Sequence, residues 1–392
     1  MIYEGVCPFC FHEIKIAYKL WYQCLGRGNG TCTKWIDPVR VQLTKSMAET
    51  YPAFAPPQKS YDHPTNCPAC GGKTGVRACP DCHTPLPSGF GESKSPLFGI
   101  VGTKGAGKTT LMTVLVRQLR DSVGKRFDSS ILLANDNPDG QGSLSEYQAN
   151  REFPLYERGQ LPVPTSALGT STRQHAVPVQ FRWQQGAGRK IKSSMFSVID
   201  TAGEDLNNFM SVASLPYLPV ANGLIILLDP FTLPSARATL NLTRAAISVG
   251  DDIPIHVLGN LTDMLRTERG VSSRKRIGLP VAVVFTKMDA FFRMLDPSSP
   301  LMRTAPPVPA YTEADGRAVH EHMLAMLHEW SAQDIDAHMR LNFSDFRYFG
   351  VSALGAEPDY EQSRVAPGGI RPHRVEDPVL WLLSKSGKVK AS

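Results

Sequence analysis

The sequence predicts a mixed α/β protein in which a small cysteine-rich module, residues 1–90, precedes a domain with a mostly parallel sheet and flanking helices, residues 96–387. Three observations support this prediction. All eight cysteines precede residue 83, a glycine-rich loop follows a short apolar run after Pro96, and later apolar runs end in polar residues. A length of 392 residues also exceeds what one core usually fills, so two or three domains are expected.

Composition and charge exclude several classes of protein. Apolar residues make up 42% and charged residues 20% of the chain, which is ordinary for a globular protein and excludes wholesale disorder. The net charge of +6 is too small to indicate nucleic acid or an anionic membrane by itself. No apolar run is long enough to span a bilayer, and the amino terminus lacks a basic start followed by an apolar stretch. We therefore expect a cytoplasmic chain without a transmembrane segment.

The cysteines have the spacing of metal ligands. Three pairs are separated by two residues and one pair by seven, and tight turns of this kind let two thiolates point at one ion. Eight thiolates complete two four-sulfur sites with no open position for catalysis, so we predict two structural zinc ions. Order along the chain groups the ligands as Cys7, Cys10, Cys24 and Cys32 in one site and Cys67, Cys70, Cys79 and Cys82 in the other. Spacing alone leaves a crossed grouping open.

Other readings of this module remain open at this point. Disulfides need an oxidising compartment, which nothing in the chain indicates. Any of the three nearby histidines, His12, His63 and His83, has the chemistry to replace a sulfur, although eight cysteines already fill two sites. Residues 44–66 are proline-rich and aperiodic, and we expect them to link the two sets of cysteines. The nearly neutral charge favours docking of a protein over nucleic acid.

A phosphate-binding loop follows the apolar strand LFGIV. It has the pattern G-x-x-x-x-G-K-T between a strand and an amphipathic helix, which is the context that validates the motif. Glycines let backbone N–H groups curl around a phosphate, and the helix N-terminus adds positive potential. Lys108 is expected to bridge the terminal phosphates, and Thr109 to bind magnesium. The predicted phosphate-binding residues are Gly102, Thr103, Lys104, Gly105, Ala106, Gly107, Lys108, Thr109 and Thr110.

Four later segments bear on the choice of nucleotide. The strand MFSVID ends at Asp200, expected to hold magnesium through water, and Gly203 follows with an amide for the γ-phosphate. The strand NGLIILLD ends at Asp229. The next strand leads into the segment Thr286-Lys287-Met288-Asp289. The carboxylate of Asp289 suits the two adjacent N–H donors of guanine. The aliphatic stem of Lys287 is expected to lie over the base. A last strand ends in a segment expected to meet the base oxygen, Ser352, Ala353 and Leu354.

The series GTKGAGKT, DTAGE, TKMD and SAL resembles the Ras-like branch of the translation-factor-related P-loop GTPases. The resemblance covers about 96–387 and implies a parallel sheet that binds GTP or GDP with magnesium at the carboxyl ends of its strands. Cysteine knuckles ahead of such a domain, with the run GQLPVPT, more narrowly resemble the double-GTPase proteins of bacterial conflict systems. That resemblance implies that nucleotide state gates the assembly of partners.

The chain departs from the family pattern at two positions. Glu204 stands where small GTPases place a water-orienting glutamine, and a carboxylate there lacks the amide's donor and repels a γ-phosphate. Alternatively, Glu204 is an ordinary solvent-exposed carboxylate in a loop. Thr286 replaces a commoner asparagine, which weakens a bracing hydrogen bond but leaves the guanine preference in place.

The first switch is expected in the long connection before the strand near 175–183. Thr165 is the first choice for the threonine that closes over magnesium and γ-phosphate, because prolines stiffen its approach. Thr170 and Thr172 are alternatives, and all three also read as ordinary loop. Arg158 and Arg173 are candidates for an internal arginine finger.

Three further segments have no predicted catalytic role. An insert at 249–278 carries a basic run that reads as a solvated loop or a nucleic-acid patch. The helix RAVHEHMLAMLHEW places apolar residues on one stripe and its histidines, His320, His322 and His328, outward. The tail 388–392 is short and polar, and we expect it to be flexible.

The sequence therefore predicts a GTP-binding and GTP-hydrolysing switch with a zinc module for docking. Its catalytic residues would be Lys108, Thr165, Gly203 and Glu204, and an effector or GTPase-activating protein is the expected partner. Two alternatives remain. One is a nucleotide-gated scaffold with negligible hydrolysis, and the other is an ATP-dependent zinc-ribbon protein that binds nucleic acid.

Overall fold

The structure is a computed structural model of the chain. The chain divides into two compact units, Met1–Leu97, Ser130–Tyr147 and Gln174–Ile199 in the first, and Phe98–Ser129, Gln148–Arg173 and Asp200–Ser392 in the second. The domain boundaries expected from the sequence, 1–90 and 96–387, stay a prediction. The structure describes residues 5–14, 20–56, 64–91, 94–103, 105–133, 147–162, 177–185, 192–200, 206, 212, 215–240 and 253–392.

The amino-terminal part of the first unit consists of short antiparallel strands. Pairs β1–β2 and β5–β6 form two-stranded hairpins, and a four-stranded sheet has the order β4-β3-β7-β8. The strands are β1 Gly5–Val6, β2 Glu13–Ile14, β3 Trp21–Gln23, β4 Ala53–Phe54, β5 Thr65–Asn66, β6 Lys73–Thr74, β7 Arg77–Ala78 and β8 Pro85–Leu86. Strands this short bury little apolar surface, which is why such a module depends on other cross-links for stability.

In the described part of this module, a helix spans Pro38–Thr44. Asp37 caps it by accepting hydrogen bonds from the backbone N–H groups of Val39 and Arg40. The second oxygen of the Asp37 carboxylate lies 2.8 Å from Nδ1 of His83, whose ring stacks on Trp21 with 4.9 Å between centroids. The helix start is therefore tied to the turn that holds Cys79 and Cys82.

The remaining strands of the first unit are longer. They are β10 Ser129–Leu133, β11 Val177–Gln185 and β12 Lys192–Asp200, in the order β10-β11-β12. Phe181 and Phe196 are buried and stack with 4.7 Å between ring centroids. This stacked pair packs β11 against the neighbouring strand β12.

The second unit contains four parallel strands in the order β9-β13-β14-β15. Their bounds are β9 Leu97–Gly102, β13 Gly223–Leu228, β14 Val281–Phe285 and β15 Phe346–Gly350. Every residue of β9, β13 and β14 is buried, as expected for parallel strands covered on both faces. The parallel sheet predicted from the sequence is thus present, and the carboxyl ends of the four strands lie along one edge.

Helices follow most of these strands. The described α-helices of the second unit are Lys108–Gln118, Gly124–Arg126, Phe153–Tyr156, Pro234–Ala238, Pro254–Glu268, Glu313–Glu329, Gln333–Asn342 and Asp377–Lys385. Segments Leu119–Val123 and Gln148–Glu152 are π-helical, and Pro230–Thr232, Met288–Ala290 and Pro300–Met302 are 3₁₀ turns. The predicted insert at 249–278 therefore contains a helix of 15 residues, Pro254–Glu268. Its basic run is partly structured, because Arg266 donates to the carbonyls of Ser272 and Lys275.

The stripe predicted on the helix Glu313–Glu329 is confirmed. Val319, Met323 and Leu327 are all buried. The outward direction predicted for all three histidines is wrong. Only His328 is exposed, whereas His320 stacks on Tyr348 with 5.1 Å between centroids and its Nδ1 accepts the backbone N–H of Tyr348 at 3.0 Å. The spacing of apolar residues along the helix did not predict this contact. Strand β15 packs over His320 as well as over the apolar stripe.

Acid is expected to destabilise the chain through His320. Burial lowers the pKa of His320, so the unfolded state takes up a proton first as the pH falls below about 6.5. The stabilisation of the folded state is therefore complete above about pH 6.5 and decreases as the pH falls below that value. The urea midpoint of the His320→Gln variant should therefore fall less between pH 7.5 and pH 5.5 than that of the wild type. His328→Gln, at an exposed position, should keep the wild-type pH dependence, and equal slopes for both variants would contradict this assignment.

Candidate nucleotide site and metal centres

The glycine-rich loop connects β9 to the helix Lys108–Gln118. Gly105 and Gly107 have φ values of 79° and 74°, which side chains with a Cβ rarely adopt, and Gly107 is the N-cap of the helix. No side chain caps this helix start. The N–H groups of the first turn of an α-helix point towards its N-terminal end, so here they face the loop, as in anion-binding helix N-termini. Lys108 and Thr109 are half-buried at this position.

The start of the loop packs closely on the neighbouring strand β13. A Cβ on Gly102 would lie 2.8 Å from Cβ of Leu227, so only glycine fits there. The buried Thr103 donates its N–H to the carbonyl of Leu227 at 3.1 Å and accepts the N–H of Ala106 at 3.0 Å. These contacts fix the position of the loop relative to the carboxyl end of β13.

The second predicted segment follows β14 at the same edge. The N–H of Thr286 donates to the carbonyl of Leu228 at 3.1 Å, and its hydroxyl donates to the same carbonyl at 3.4 Å. Thr286 therefore braces this segment against the end of β13. Lys287 has a φ of 56°, in the left-handed region that favours glycine, and its ammonium lies 4.8 Å from the ring centroid of Phe231.

Asp289 and Ser352 meet across the ends of β14 and β15. The Ser352 hydroxyl donates to Oδ1 of Asp289 at 2.5 Å and accepts the N–H of Gly355 at 2.7 Å. Burial raises the pKa of the half-buried Asp289, and the hydrogen bond from Ser352 opposes that rise. A ligand edge with two adjacent N–H donors would offset the cost of burying this charge. Ala353 and Leu354 follow, both half-buried.

Several predicted residues lie outside the part of the chain that the structure describes. They are Lys104, Thr165, Thr170, Thr172, Arg173, Gly203 and Glu204. The backbone of Asp200 ends β12. The guanidinium of Arg158, the other candidate finger, lies 5.0 Å from the ring centroid of Phe153.

Sequence reasoning missed the contacts of Asp229. This residue is fully buried after β13, and its Oδ2 lies 2.6 Å from Nζ of Lys287. The signal available in the sequence was a charged residue directly after an unbroken apolar strand, because buried carboxylates are rare unless they are paired.

The eight cysteines form two buried groups of four, as predicted, but the grouping by chain order is wrong. One group is Cys7, Cys10, Cys79 and Cys82, and the other is Cys24, Cys32, Cys67 and Cys70. The two groups are nested, so the first one joins the two ends of the module. All eight thiols are free, and within each group the sulfur atoms lie within 4.8 Å of one another.

Strand pairing explains the nesting. Because β3 and β7 are antiparallel, with Trp21 opposite Ala78, the residues that follow these strands lie at opposite ends of the sheet. Cys24 follows β3 at the end where β6 leads into β7, so it meets the β5–β6 turn that holds Cys67 and Cys70. Cys79 follows β7 at the other end, beside the amino-terminal hairpin. Spacing along the chain carries no information about this pairing.

The geometry of both groups fits a tetrahedral ion. Four sulfurs bound at about 2.3 Å would be about 3.8 Å apart, and the observed separations are 3.8 Å for Cys7–Cys82 and Cys10–Cys79 and 3.6 Å for Cys24–Cys70. Burial raises the pKa of Cys7, whereas an N–H from Gly72 lowers the pKa of Cys70 to about 7. Thiolates packed this closely need a cation, so both groups are suited to hold zinc.

Three of the cysteine turns share one backbone pattern. In each, the first cysteine accepts a hydrogen bond from the residue four positions on, which has a positive φ: 62° at Phe11, 72° at Gly71 and 59° at His83. Only Gly71 suits this conformation, so the strain at Phe11 and His83 must be offset elsewhere. His83 is held by Asp37 and is not a sulfur substitute, whereas His12 lies near Asp81 with 3.5 Å between Nδ1 and Oδ2. His63 lies outside the described residues.

The strand, the glycine-rich loop and the helix at the edge of the parallel sheet have the local arrangement of a phosphate-binding P-loop. The chain is 27% identical, over 97% of its length and 99% of the relative's, to a protein of Mycolicibacterium smegmatis named putative ESX-1 scaffolding and assembly protein SaeC. No family model matches the chain.

Two solved GTPase structures are similar at low identity. A signal recognition particle receptor SRb-GTP/SRX complex from Chaetomium thermophilum is 19% identical, with 69% of this chain and 96% of that chain covered and a TM-score of 0.28. The Ski7 GTPase-like domain of S. cerevisiae bound to GTP is 14% identical, with 75% and 50% covered and a TM-score of 0.32. In the described part of the chain, no helix combines the length and apolar character needed to cross a membrane.

Proposed function

We propose that this chain is a guanine-nucleotide switch that binds GTP and GDP with magnesium and hydrolyses GTP. One observation supports this above all others. The phosphate loop, the Lys287–Asp289 segment and Ser352 lie at the carboxyl ends of adjacent parallel strands, where nucleotides bind in this architecture. Asp289 would select guanine, because adenine offers no pair of adjacent N–H donors to one carboxylate.

The proposed chemistry needs mainly positioning and charge neutralisation. Lys108 and the loop N–H groups would stabilise negative charge on the transferred phosphoryl group, and Thr109 with Asp200 would hold the magnesium. Thr165, Gly203 and Glu204 would complete the site from the switch segments. Because Glu204 is a weaker water-orienting group than glutamine, we expect slow intrinsic turnover and acceleration by a GTPase-activating partner.

We propose further that the zinc-binding part of the chain docks a protein partner in the cytoplasm, where thiols stay reduced. Large apolar side chains on this part are exposed at Trp35, Ile36 and Met47, with exposed fractions of 45%, 43% and 64%. Exposed apolar residues of this size are typical of interaction surfaces.

A second candidate is a GTP-gated scaffold with negligible hydrolysis. The scaffolding and assembly role in the name of the M. smegmatis relative favours it, and so does Glu204. That name supports assembly of proteins rather than the conflict-system role. Tighter binding of ATP than of GTP would instead favour the ATP-dependent protein that binds nucleic acid.

Nucleotide binding and single-turnover hydrolysis test the proposal. Wild-type protein should bind GTP and GDP at least 100-fold more tightly than ATP, and should convert bound GTP to GDP faster than free GTP decays. Lys108→Ala should abolish hydrolysis and weaken GTP binding, whereas Lys125→Ala, an exposed lysine beyond the same helix, should change neither. Tight GTP binding without turnover would favour the scaffold, and tighter binding of ATP would overturn the guanine assignment.

A further inference from the structure

We propose that Asp229 is a positioning residue that joins the phosphate loop to the base-reading segment. The inference rests on the proposed guanine-nucleotide function. Asp229 has no exposed surface and directly follows β13, the strand between β9 and β14. It therefore lies between the two strands whose ends carry the phosphate loop and Lys287.

The Asp229 carboxylate forms an ion pair with the ammonium group of Lys287. Its Oδ2 lies 2.6 Å from Nζ of Lys287, and its Oδ1 accepts the N–H of Phe231 at 2.9 Å. The ring of Phe231 flanks the same ammonium, 4.8 Å from its centroid. A carboxylate and an aromatic face together fix where this charge lies, so the aliphatic stem of Lys287 is held in one direction.

The backbone of Asp229 holds the other half of the site. Its N–H donates to Oγ1 of Thr103 at 3.3 Å, and Thr103 is the first residue of the phosphate loop. Thr103 in turn accepts the N–H of Ala106, which closes the turn of the loop. A continuous path of hydrogen bonds thus runs from the phosphate loop through one buried residue to Lys287.

This arrangement also pairs the Lys287 ammonium with a carboxylate other than the one proposed to read the base. Asp289 lies two residues further along; burial raises its pKa, and the positive charge of Lys287 is among the interactions that oppose this rise. If Asp229 lost its charge, the ammonium would be free to pair with Asp289 and compete with the N–H donors of guanine. Asp229 would then set both the spacing of the site and its selectivity for the exocyclic amine.

Binding of GDP and inosine diphosphate, which lacks that amine, tests the inference. Asp229→Asn keeps the side-chain shape and should weaken GDP binding at least 10-fold, with a smaller loss for inosine diphosphate. Adding Lys287→Met should restore the wild-type ratio of the two affinities, because no ammonium remains to compete. The matched control is Asp336→Asn, which removes another buried carboxylate paired with a cation, Arg340 at 2.6 Å, and should change neither affinity.

Equal losses for the two nucleotides in Asp229→Asn, or no loss, would overturn the inference. Far-UV circular dichroism and zinc content report whether each variant folds. If Asp229→Asn does not fold, Thr103→Val removes the hydroxyl that accepts the Asp229 N–H and tests the same hydrogen bonds. This variant should weaken GDP binding several-fold. Unchanged binding would overturn the inference. If the wild-type protein binds no guanine nucleotide, the proposed function is wrong as well. If the wild type binds GDP and only the variants behave otherwise than expected, only the inference about Asp229 is wrong.

Discussion

The Asp289→Asn variant is expected to lose guanine nucleotides and gain xanthine nucleotides. Two hydrogen bonds to a charged acceptor contribute about 1.5–3 kcal/mol each, so GDP affinity should fall on the order of 10²–10⁴-fold. An amide at this position presents an N–H to the C2 carbonyl of xanthine and an oxygen to its ring N–H. Xanthosine diphosphate should therefore bind the variant more tightly than GDP does. Equilibrium titration with both nucleotides measures this reversal.

The matched control for this change is Asp296→Asn. Asp296 is an exposed aspartate seven residues further along, and its carboxylate accepts hydrogen bonds from Ser298. The control variant should bind GDP as the wild type does. If Asp289→Asn also bound GDP normally, the base would not be read by this carboxylate, and the guanine assignment would be wrong.

Paired cysteine substitutions are expected to remove zinc ions according to the nested grouping. The wild type should contain two zinc ions per chain, and a structural zinc site of this kind contributes about 10–16 kcal/mol of binding free energy that is also folding free energy. Cys7→Ser/Cys82→Ser, whose changes are 75 residues apart, damages one site only and should retain one zinc. Cys7→Ser/Cys24→Ser damages both sites and should retain none. Mass spectrometry of the metal content of purified protein measures both.

The two double variants exchange their outcomes if the cysteines are grouped by chain order. In that case Cys7→Ser/Cys24→Ser would keep one zinc, and Cys7→Ser/Cys82→Ser would lose both. Limited proteolysis adds an independent readout, because a module that lacks either ion should be cleaved within residues 5–91 while the parallel-sheet unit resists. Wild-type protein purified without zinc, iron or another bound ion would contradict both groupings.

Local patterns were sufficient to predict two elements of this molecule, the strand-loop-helix segment and the buried strand β14. The loop from Gly102 to Thr110 was placed between a strand and a helix, and the Thr286–Asp289 segment was placed after a buried strand, because glycine conformations and apolar runs act over a few residues. The cysteine turns were predicted for the same reason, since two residues between ligands define one tight turn. The contact between Asp289 and Ser352 was not predicted, although both residues were named.

The amino-acid sequence by itself determined the mixed α/β class of the fold, the glycine-rich loop between a strand and a helix, and the presence of two groups of four cysteines. Only the tertiary structure decided which cysteines share a site, that Asp229 pairs with Lys287, and that His320 faces β15. The physical reason is the same in the three cases. Each depends on which strands lie side by side, and strand neighbours are set by the burial of whole elements, which short-range spacing does not encode.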